Sequence, residues 1–241
     1  MTDPIYAIGD IHGQLSKLED ALALIEADGG AGAPVVFLGD YVDRGPNSRG
    51  VIDLLSKGQA EGRNWTFLKG NHDRMMEWYL ENPPRHDPYM LVGYHWMHDR
   101  IGGRETVASY GVKKVEGRRM FDLADEIRAQ VPTSHAQFLR DLKLSHHVGD
   151  LFFAHAGIRP GVALDAQSET DLLWIRQEFH DDSRDHGALI VHGHTPVDYA
   201  QHYGNRVNLD SGAGYGRKVT AALFLGDDVF ELTRKGRVRL V

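Results

Sequence analysis

An α/β fold built on a parallel sheet is what the sequence predicts, and three observations predict it. Short apolar runs at Ile5–Ile8, Val35–Leu38 and Trp65–Leu68 alternate with amphipathic stretches at Leu15–Ala27 and Ser48–Ala60. The runs lack polar alternation, as strands covered on both faces require. Each passes at once into polar or glycine residues, as strands entering loops do.

Each element has its own signal. In the first helix Leu15, Leu18, Leu22 and Ile25 share one face, and Asp28-Gly29-Gly30 ends the pattern with turn residues. From about Met75 to Leu144 the rhythm breaks, with Trp78, Tyr79, Tyr89, Tyr94 and Trp96 among Pro83-Pro84 and Gly102-Gly103. This stretch reads as a mainly helical insertion whose aromatic residues are core rather than ligand platform. Its last helix is expected to start at Ser134, with Gln137 completing a capping box. Beyond it strand signals dominate: Leu142–Val148 and Leu151–Ala154 flank a Gly149-Asp150 turn, and two more strands flank Gly226-Asp227. Ala188–Val191 and Val207–Leu209 lie between them, and the basic run Arg234-Lys235-Gly236-Arg237 reads as a solvated turn.

The 241 residues suit one α/β domain, residues 1–241, carrying the insertion at about 75–144. A content of 41% hydrophobic and 25% charged residues excludes a disordered chain. No stretch approaches an apolar membrane span, so no membrane partner is expected. The start Met1-Thr2-Asp3-Pro4 has neither a basic region nor an apolar leader, so no signal peptide is expected and the cytoplasm is the expected location. The absence of cysteine excludes disulfides, thiolate ligation and a cysteine nucleophile. A formal charge of -7 speaks against broad nucleic-acid binding. A phosphorylated substrate would need local positive charge, and 14 histidines make nitrogen and oxygen ligation of metal the natural route to it.

The strand ends carry the chemistry. Gly9-Asp10-Ile11-His12-Gly13 follows the first strand, so a carboxylate and an imidazole leave the sheet two residues apart. The second strand ends in Gly39-Asp40-Tyr41-Val42-Asp43-Arg44-Gly45 and the third in Gly70-Asn71-His72-Asp73. His155 and His194 follow two later apolar runs in the same way. Singly, Asp40 or Asn71 could cap a helix and His72 could be a satisfied loop histidine. The series Asp10, His12, Asp40, Asn71, His155, His194 at successive strand ends is a poor coincidence, and open α/β sheets bind ligands at that edge.

From residue 9 to about residue 216 these motifs resemble those of the phosphoprotein phosphatase branch of the calcineurin-like metallophosphoesterases, of the bacterial serine/threonine protein phosphatase type. The resemblance implies a metallophosphoesterase-like α/β sandwich, with a central two-sheet core flanked by helices. It implies two divalent metal ions: Asp10 and His12 would bind the first, Asp40 would bridge both, and Asn71, His155 and His194 would complete the second. Manganese is the metal the family implies, and the donor set also suits iron or zinc. The implied chemistry is in-line attack by a hydroxide bridging the metals, with His72 as general acid oriented by Asp43. Arg44, Asn71, Arg176 and Tyr215 would hold the phosphate.

Two segments depart from wider patterns. In Val191-His192-Gly193-His194-Thr195-Pro196, Pro196 stands where the wider superfamily often has a second histidine. That matches the phosphoprotein phosphatase branch and makes His194 the ligand, while His192 is expected to be buried without ligating, supporting hydrogen bonding or ligation being the alternatives. Asp210-Ser211-Gly212-Ala213-Gly214-Tyr215-Gly216 resembles the family's late active-site loop, with Gly216 where many eukaryotic members have cysteine.

The resemblance implies hydrolysis of phosphomonoesters, with a phosphorylated protein or small phosphoester as partner. Symmetrical cleavage of diadenosine tetraphosphate, or of dinucleotide-capped RNA, uses the same motifs. A metal-dependent phosphate-binding regulatory protein without turnover would have lost ligands or His72, and none is lost. Specificity is expected in the insertion and in the loops above the metals.

Overall fold

A computed structural model describes residues 4–241. The expectation of no leader at Met1–Asp3 lies outside the described residues.

β1 (Ile5–Ile8), β2 (Val35–Phe37) and β3 (Trp65–Phe67) form at the three apolar runs and pair in parallel through α1 (Leu15–Gly29) and α2 (Ser48–Ala60). α1 buries Leu18, Ala21 and Ile25 and runs on through the predicted stop to Gly29; Gly30, at φ 80°, ends it. α2 starts at Asn47, whose side chain accepts the Gly50 N–H.

α3 (Asn71–Tyr79) opens directly after β3, ahead of the expected break at Met75. The cause is Asp73: its buried carboxylate accepts the backbone N–H groups of Gly70, Asp40 and Tyr41 at 2.8, 2.7 and 2.9 Å. One side chain thus starts a helix and ties it to the loop after β2. α4 (Gly103–Ser109), α5 (Met120–Gln130) and α6 (Thr133–Arg140) follow, separated by turns. The Ser134–Gln137 capping box does not form. Pro132 occupies the cap, which places Ser134 inside the helix, and Gln137 donates to Asp141 instead. The aromatic residues divide: Tyr79 and Trp96 are core, Trp78 and Tyr94 are half-buried, and Tyr89 is exposed.

β4 (Ser145–Val148) and β5 (Leu151–Ala154) make the expected hairpin. β4 starts three residues later than predicted because Lys143 bonds to the end of β3, accepting from Lys69 N and donating to the Phe67 carbonyl at 2.7 and 3.0 Å. α7 (Glu169–Trp174) and α8 (Gln177–His180) lead to β6 (Leu189–His192), β7 (Gln201–His202) and β8 (Arg206–Asn208). β9 (Ala221–Leu225), β10 (Asp228–Thr233) and β11 (Gly236–Arg239) complete the chain. Gly236 and Arg237, expected in a solvated turn, belong to β11, and Arg237 forks onto Asp28 at 2.8 and 3.0 Å.

One sheet has the order β11-β10-β9-β1-β2-β3, with β1 parallel to β2 and antiparallel to β9; the other is β4-β5-β6-β8-β7. Ala7, Val36 and Leu38 face Phe153, Val191, Val207 and Leu209 across the sandwich. The alternate residues Tyr6, Ile8, Val35 and Phe37 pack under the helices. Among the described residues no helix is long and apolar enough to cross a membrane.

Asp73→Ala would leave three buried N–H groups without acceptors, at a cost of about 3 kcal/mol or more in unfolding free energy by urea denaturation.

Candidate metal centre

The sandwich brings the C-terminal ends of β1, β2, β3, β5 and β6 together, and each releases its polar residues there. The five non-glycine residues with positive φ among the described residues are His12, Asp40, Asp43, Arg44 and His194. Left-handed backbone disfavours such side chains, so the loops bend sharply only where these groups must turn inward. Two glycines permit the crowding: a methyl group on Gly70 would fall on Asp40 Oδ1, and one on Gly193 on Asp10 Oδ1.

Six buried side chains point their donor atoms inward. His12 Nε2 lies 3.4 Å from Asp40 Oδ2, and His155 Nε2 lies 3.5 Å from Asp40 Oδ1. Asn71 Oδ1 is 3.0 Å from His155 Nε2 and 2.9 Å from His194 Nδ1. The two groupings tight enough to hold an ion are His12, Asp40 and His72, and Asp40, His155 and His194; Asp40 is common to both. Asp10 belongs to neither, and its two oxygens accept the His194 N–H at 3.2 Å each.

The hydrogen bonds show why these residues suit a cation. His155 Nδ1 lies 2.9 Å from the Leu38 carbonyl, which can only accept, so Nδ1 carries the proton. Burial holds the imidazole pKa down to about 4, so at neutral pH Nε2 is a bare lone pair facing the Asn71 amide oxygen. Two acceptors at 3.0 Å with no proton between them repel, and a metal ion between them removes the repulsion. His12 is set the same way by Nδ1 donation to the Val42 carbonyl at 2.9 Å. His194 Nε2 is buried with no hydrogen-bond partner among the described residues. The donor set fits a divalent metal, and its chemistry suits several.

On the other side of the group stands His72, its Nδ1 2.6 Å from Asp43 Oδ2. Asp43 also accepts from Trp96 Nε1 and Thr106 Oγ1. Arg44 spans the site, with Nη1 3.0 Å from His12 Nε2 and Nη2 3.1 Å from His72 Nε2, over an exposed Tyr215 ring 5.1 Å away. Arg176, between α7 and α8, makes no ion pair among the described residues and donates to Thr195 Oγ1 at 3.1 Å. His192 is fully buried, with Nε2 3.1 Å from Arg206 Nη1 and Nδ1 3.1 Å from the Gly193 carbonyl, and it joins neither donor grouping.

Burial dominates the titration. It pushes Asp10 up, with help from Asp210 and Asp40, and Asp40 up to about 7. It pushes His12, His72 and His194 down, reinforced by Arg44 at His12 and His72 and by His155 at His194. Carboxylates that resist ionisation beside imidazoles that resist protonation need a dense positive charge that is not a proton.

Sequence reasoning missed several contributors. Asp210 is buried, follows β8 as Asp40 follows β2, and raises its neighbours; that strand-end position was its signal. Asp73 was visible only as a loop residue. Trp96 and Thr106 lie far from any strand end, and nothing in the sequence marked them.

The fold and this converging set define a metal-dependent phosphoesterase. The chain belongs to the calcineurin-like phosphoesterases, whose family model matches residues 3–229. A bis(5'-nucleosyl)-tetraphosphatase PrpE [asymmetrical] of Bacillus velezensis is 27% identical over 90% of this chain and 87% of its own. The protein of the same name from Halalkalibacterium halodurans is 28% identical over 90% and 88%. Among solved structures, one described as a candidate diadenosine tetraphosphatase superposes with a TM-score of 0.63 at 23% identity, covering 100% of this chain and 95% of that one. A cold-active protein-tyrosine phosphatase of a psychrophile Shewanella also gives 0.63, at 18% identity over 100% and 81%. These structural likenesses show the shared fold.

Because Asp40 in the metal-free protein titrates near 7, metal uptake favours its ionised form and displaces a proton. The sign follows: release is largest below that pH, where Asp40 carries a proton, and falls away above it. Calorimetry of metal binding in buffers of different ionisation enthalpy is expected to show about one proton more released near pH 6 than near pH 9, the difference being that of Asp40.

Proposed function

We propose that the chain is a two-metal phosphomonoester hydrolase of the serine/threonine protein phosphatase type. Asp10, His12, Asp40, Asn71, His155 and His194 would hold the ions, manganese being the working choice. The chain acts as one catalytic unit, residues 75–144 being an insertion, and its place is the cytoplasm. The observation that carries this reading is the buried Asp43–His72 pair at 2.6 Å beside the converging donors. When bound, the ions supply Lewis acidity toward phosphate and activate a water molecule.

The chain's own residues do the rest. Arg44, whose planar fork lies between His12 and His72, turns its donors to two phosphate oxygens, and Arg176 and Tyr215 close the rim. Burial and the Arg44 cation depress His72; phosphate beside Arg44 offsets the second, and with Asp43 on Nδ1 the imidazole takes up a proton on Nε2. Water adds to phosphorus as the ester P–O bond breaks, one of its protons staying on the product phosphate and the other passing to solvent. The bonding pair stays on the departing oxygen, which takes the Nε2 proton, leaving phosphate and an alcohol. Asp43 keeps Nδ1 protonated throughout.

A second reading is favoured by the relatives named as tetraphosphatases: cleavage of a dinucleoside tetraphosphate. Their name specifies asymmetrical cleavage, whereas the sequence reading considered the symmetrical reaction. A phosphoanhydride leaves as a stable phosphate anion and needs a proton less than an alkoxide does. The buried acid pair would serve the alkoxide of a monoester more than the phosphate leaving group of an anhydride.

Manganese-loaded protein assayed on phosphoserine peptide, phosphotyrosine peptide and diadenosine tetraphosphate tests both. Turnover of the phosphopeptides, slowed about 10²- to 10⁴-fold by His72→Asn with metal content unchanged, is expected. Turnover of the dinucleotide alone would establish the second reading, with the products, AMP and ATP or two ADP, giving the cleavage site. Two metals bound without any turnover would make it a binding protein.

A further inference from the structure

We propose that Trp96 and Thr106, both in the insertion, are positioning residues for the proton donor, holding the Asp43 carboxylate in the orientation that keeps a proton on His72 Nδ1 and turns Nε2 to the leaving oxygen. The proposal rests on the reading of His72 as general acid.

Asp43 is fully buried, so its carboxylate has the protein alone to orient it. Trp96 Nε1 donates to both oxygens, at 3.0 and 3.0 Å, and so spans the carboxylate edge and fixes its rotation. Thr106 Oγ1 donates to Oδ1 at 2.7 Å while accepting the Asp43 backbone N–H at 2.8 Å. Ser48 Oγ lies 3.0 Å from the same hydroxyl, which is thereby committed in every direction. With Oδ1 taken by Thr106 and both oxygens bridged by Trp96, the direction left open on Oδ2 is the one His72 fills.

The insertion is built to reach this point. Gly102, which precedes α4, accepts the Arg44 N–H at 3.1 Å, and a methyl group there would fall on the Arg44 backbone. Gly103 donates to the Trp96 carbonyl at 3.2 Å, which ties Trp96 to the start of the helix carrying Thr106. Trp96 packs on Tyr79 at 5.0 Å between ring centroids, so its indole cannot swing away. The Gly102-Gly103 pair thus lets the insertion close directly on the Asp43-Arg44 turn, and the strands supply neither donor.

The test uses the full metal-loaded chain and separates leaving groups. Trp96→Phe keeps the packing and removes the N–H, Thr106→Val keeps the shape and removes the hydroxyl, and Thr106→Ser restores it. On a phosphoserine peptide, whose alkoxide needs a proton, kcat is expected to fall about 10- to 100-fold in the first two variants with little change in KM. On 4-nitrophenyl phosphate, whose phenolate leaves unaided, the loss should be at least about tenfold smaller. Thr106→Ser should recover most of the rate, and Trp96→Phe combined with His72→Asn should cost nothing beyond His72→Asn alone. Nitrogen-15 NMR of the His72 ring gives a readout independent of turnover: one Nδ1–H tautomer in the parent, a mixture in Trp96→Phe and Thr106→Val. Equal losses on both esters, losses additive with His72→Asn, or an unchanged tautomer would overturn the proposal. If the parent cleaves neither ester, the general-acid reading fails, and the tautomer measurement alone decides whether Trp96 and Thr106 set the pair.

Discussion

Everything in this site depends on the repulsion among buried acceptors around Asp40. Asp40 faces His12 Nε2 at 3.4 Å and His155 Nε2 at 3.5 Å, and the amide oxygen of Asn71 faces that same His155 nitrogen at 3.0 Å and His194 Nδ1 at 2.9 Å. Protonation is the usual escape from such crowding, but burial blocks it at the imidazoles. Folding energy drawn from the two cores on either side of the first sheet must hold these groups together. The same repulsion makes the site attract divalent ions in a chain whose overall charge is -7.

Backbone strain is the second half of that constraint. Asp40, Asp43 and Arg44 have φ of 52°, 74° and 66° within five residues, a run that an isolated loop would not keep. It is locked by hydrogen bonds from three directions: Asp73 at the start of α3 takes the Asp40 and Tyr41 N–H groups, Thr106 takes that of Asp43, and Gly102 takes that of Arg44. The loop that carries Asp40, Asp43 and Arg44, the proposed bridging ligand, partner of the proton donor and phosphate arginine, is therefore one rigid object. Its shape comes from segments far away in sequence.

That explains how the sequence could be read. The first three strands and α1 and α2 were legible because apolar periodicity is local, and Asp10, Asp40 and Asn71 because strand ends in a parallel sheet lie at one edge. β4 was misjudged in length because Lys143 answers to β3, some 75 residues earlier, and α6 in its start because Pro132 took the cap. Trp96 and Thr106 were illegible for the same physical reason: their partner, Asp43, lies 53 and 63 residues away, and neither a tryptophan nor a threonine carries a mark of what it will hydrogen-bond. His192 and His194 differ by two residues; Pro196 pointed to His194 as the ligand in the sequence, and in the fold Arg206 occupies His192 while His194 faces Asn71.

The arrangement also bears on how this fold can change substrate. Specificity is commonly assigned to loops that only touch the ligand. Here the segment between β3 and β4 that would supply such loops also supplies both neutral donors to the buried Asp43, and its Gly102 borders a cleft of about 430 Å³ that opens beside Arg44 and Tyr215. Gly102 joins that cleft to the Arg44 backbone, and Trp96 and Thr106 join the same segment to the Asp43 carboxylate. On the reading of His72 as general acid, substrate choice and proton donation are linked through this segment, and a substrate whose leaving group needs no proton relaxes the demand on Trp96 and Thr106. Divergence toward phosphoanhydrides would then be free to rebuild the insertion, whereas a phosphomonoesterase must keep the Trp96–Thr106 clasp intact.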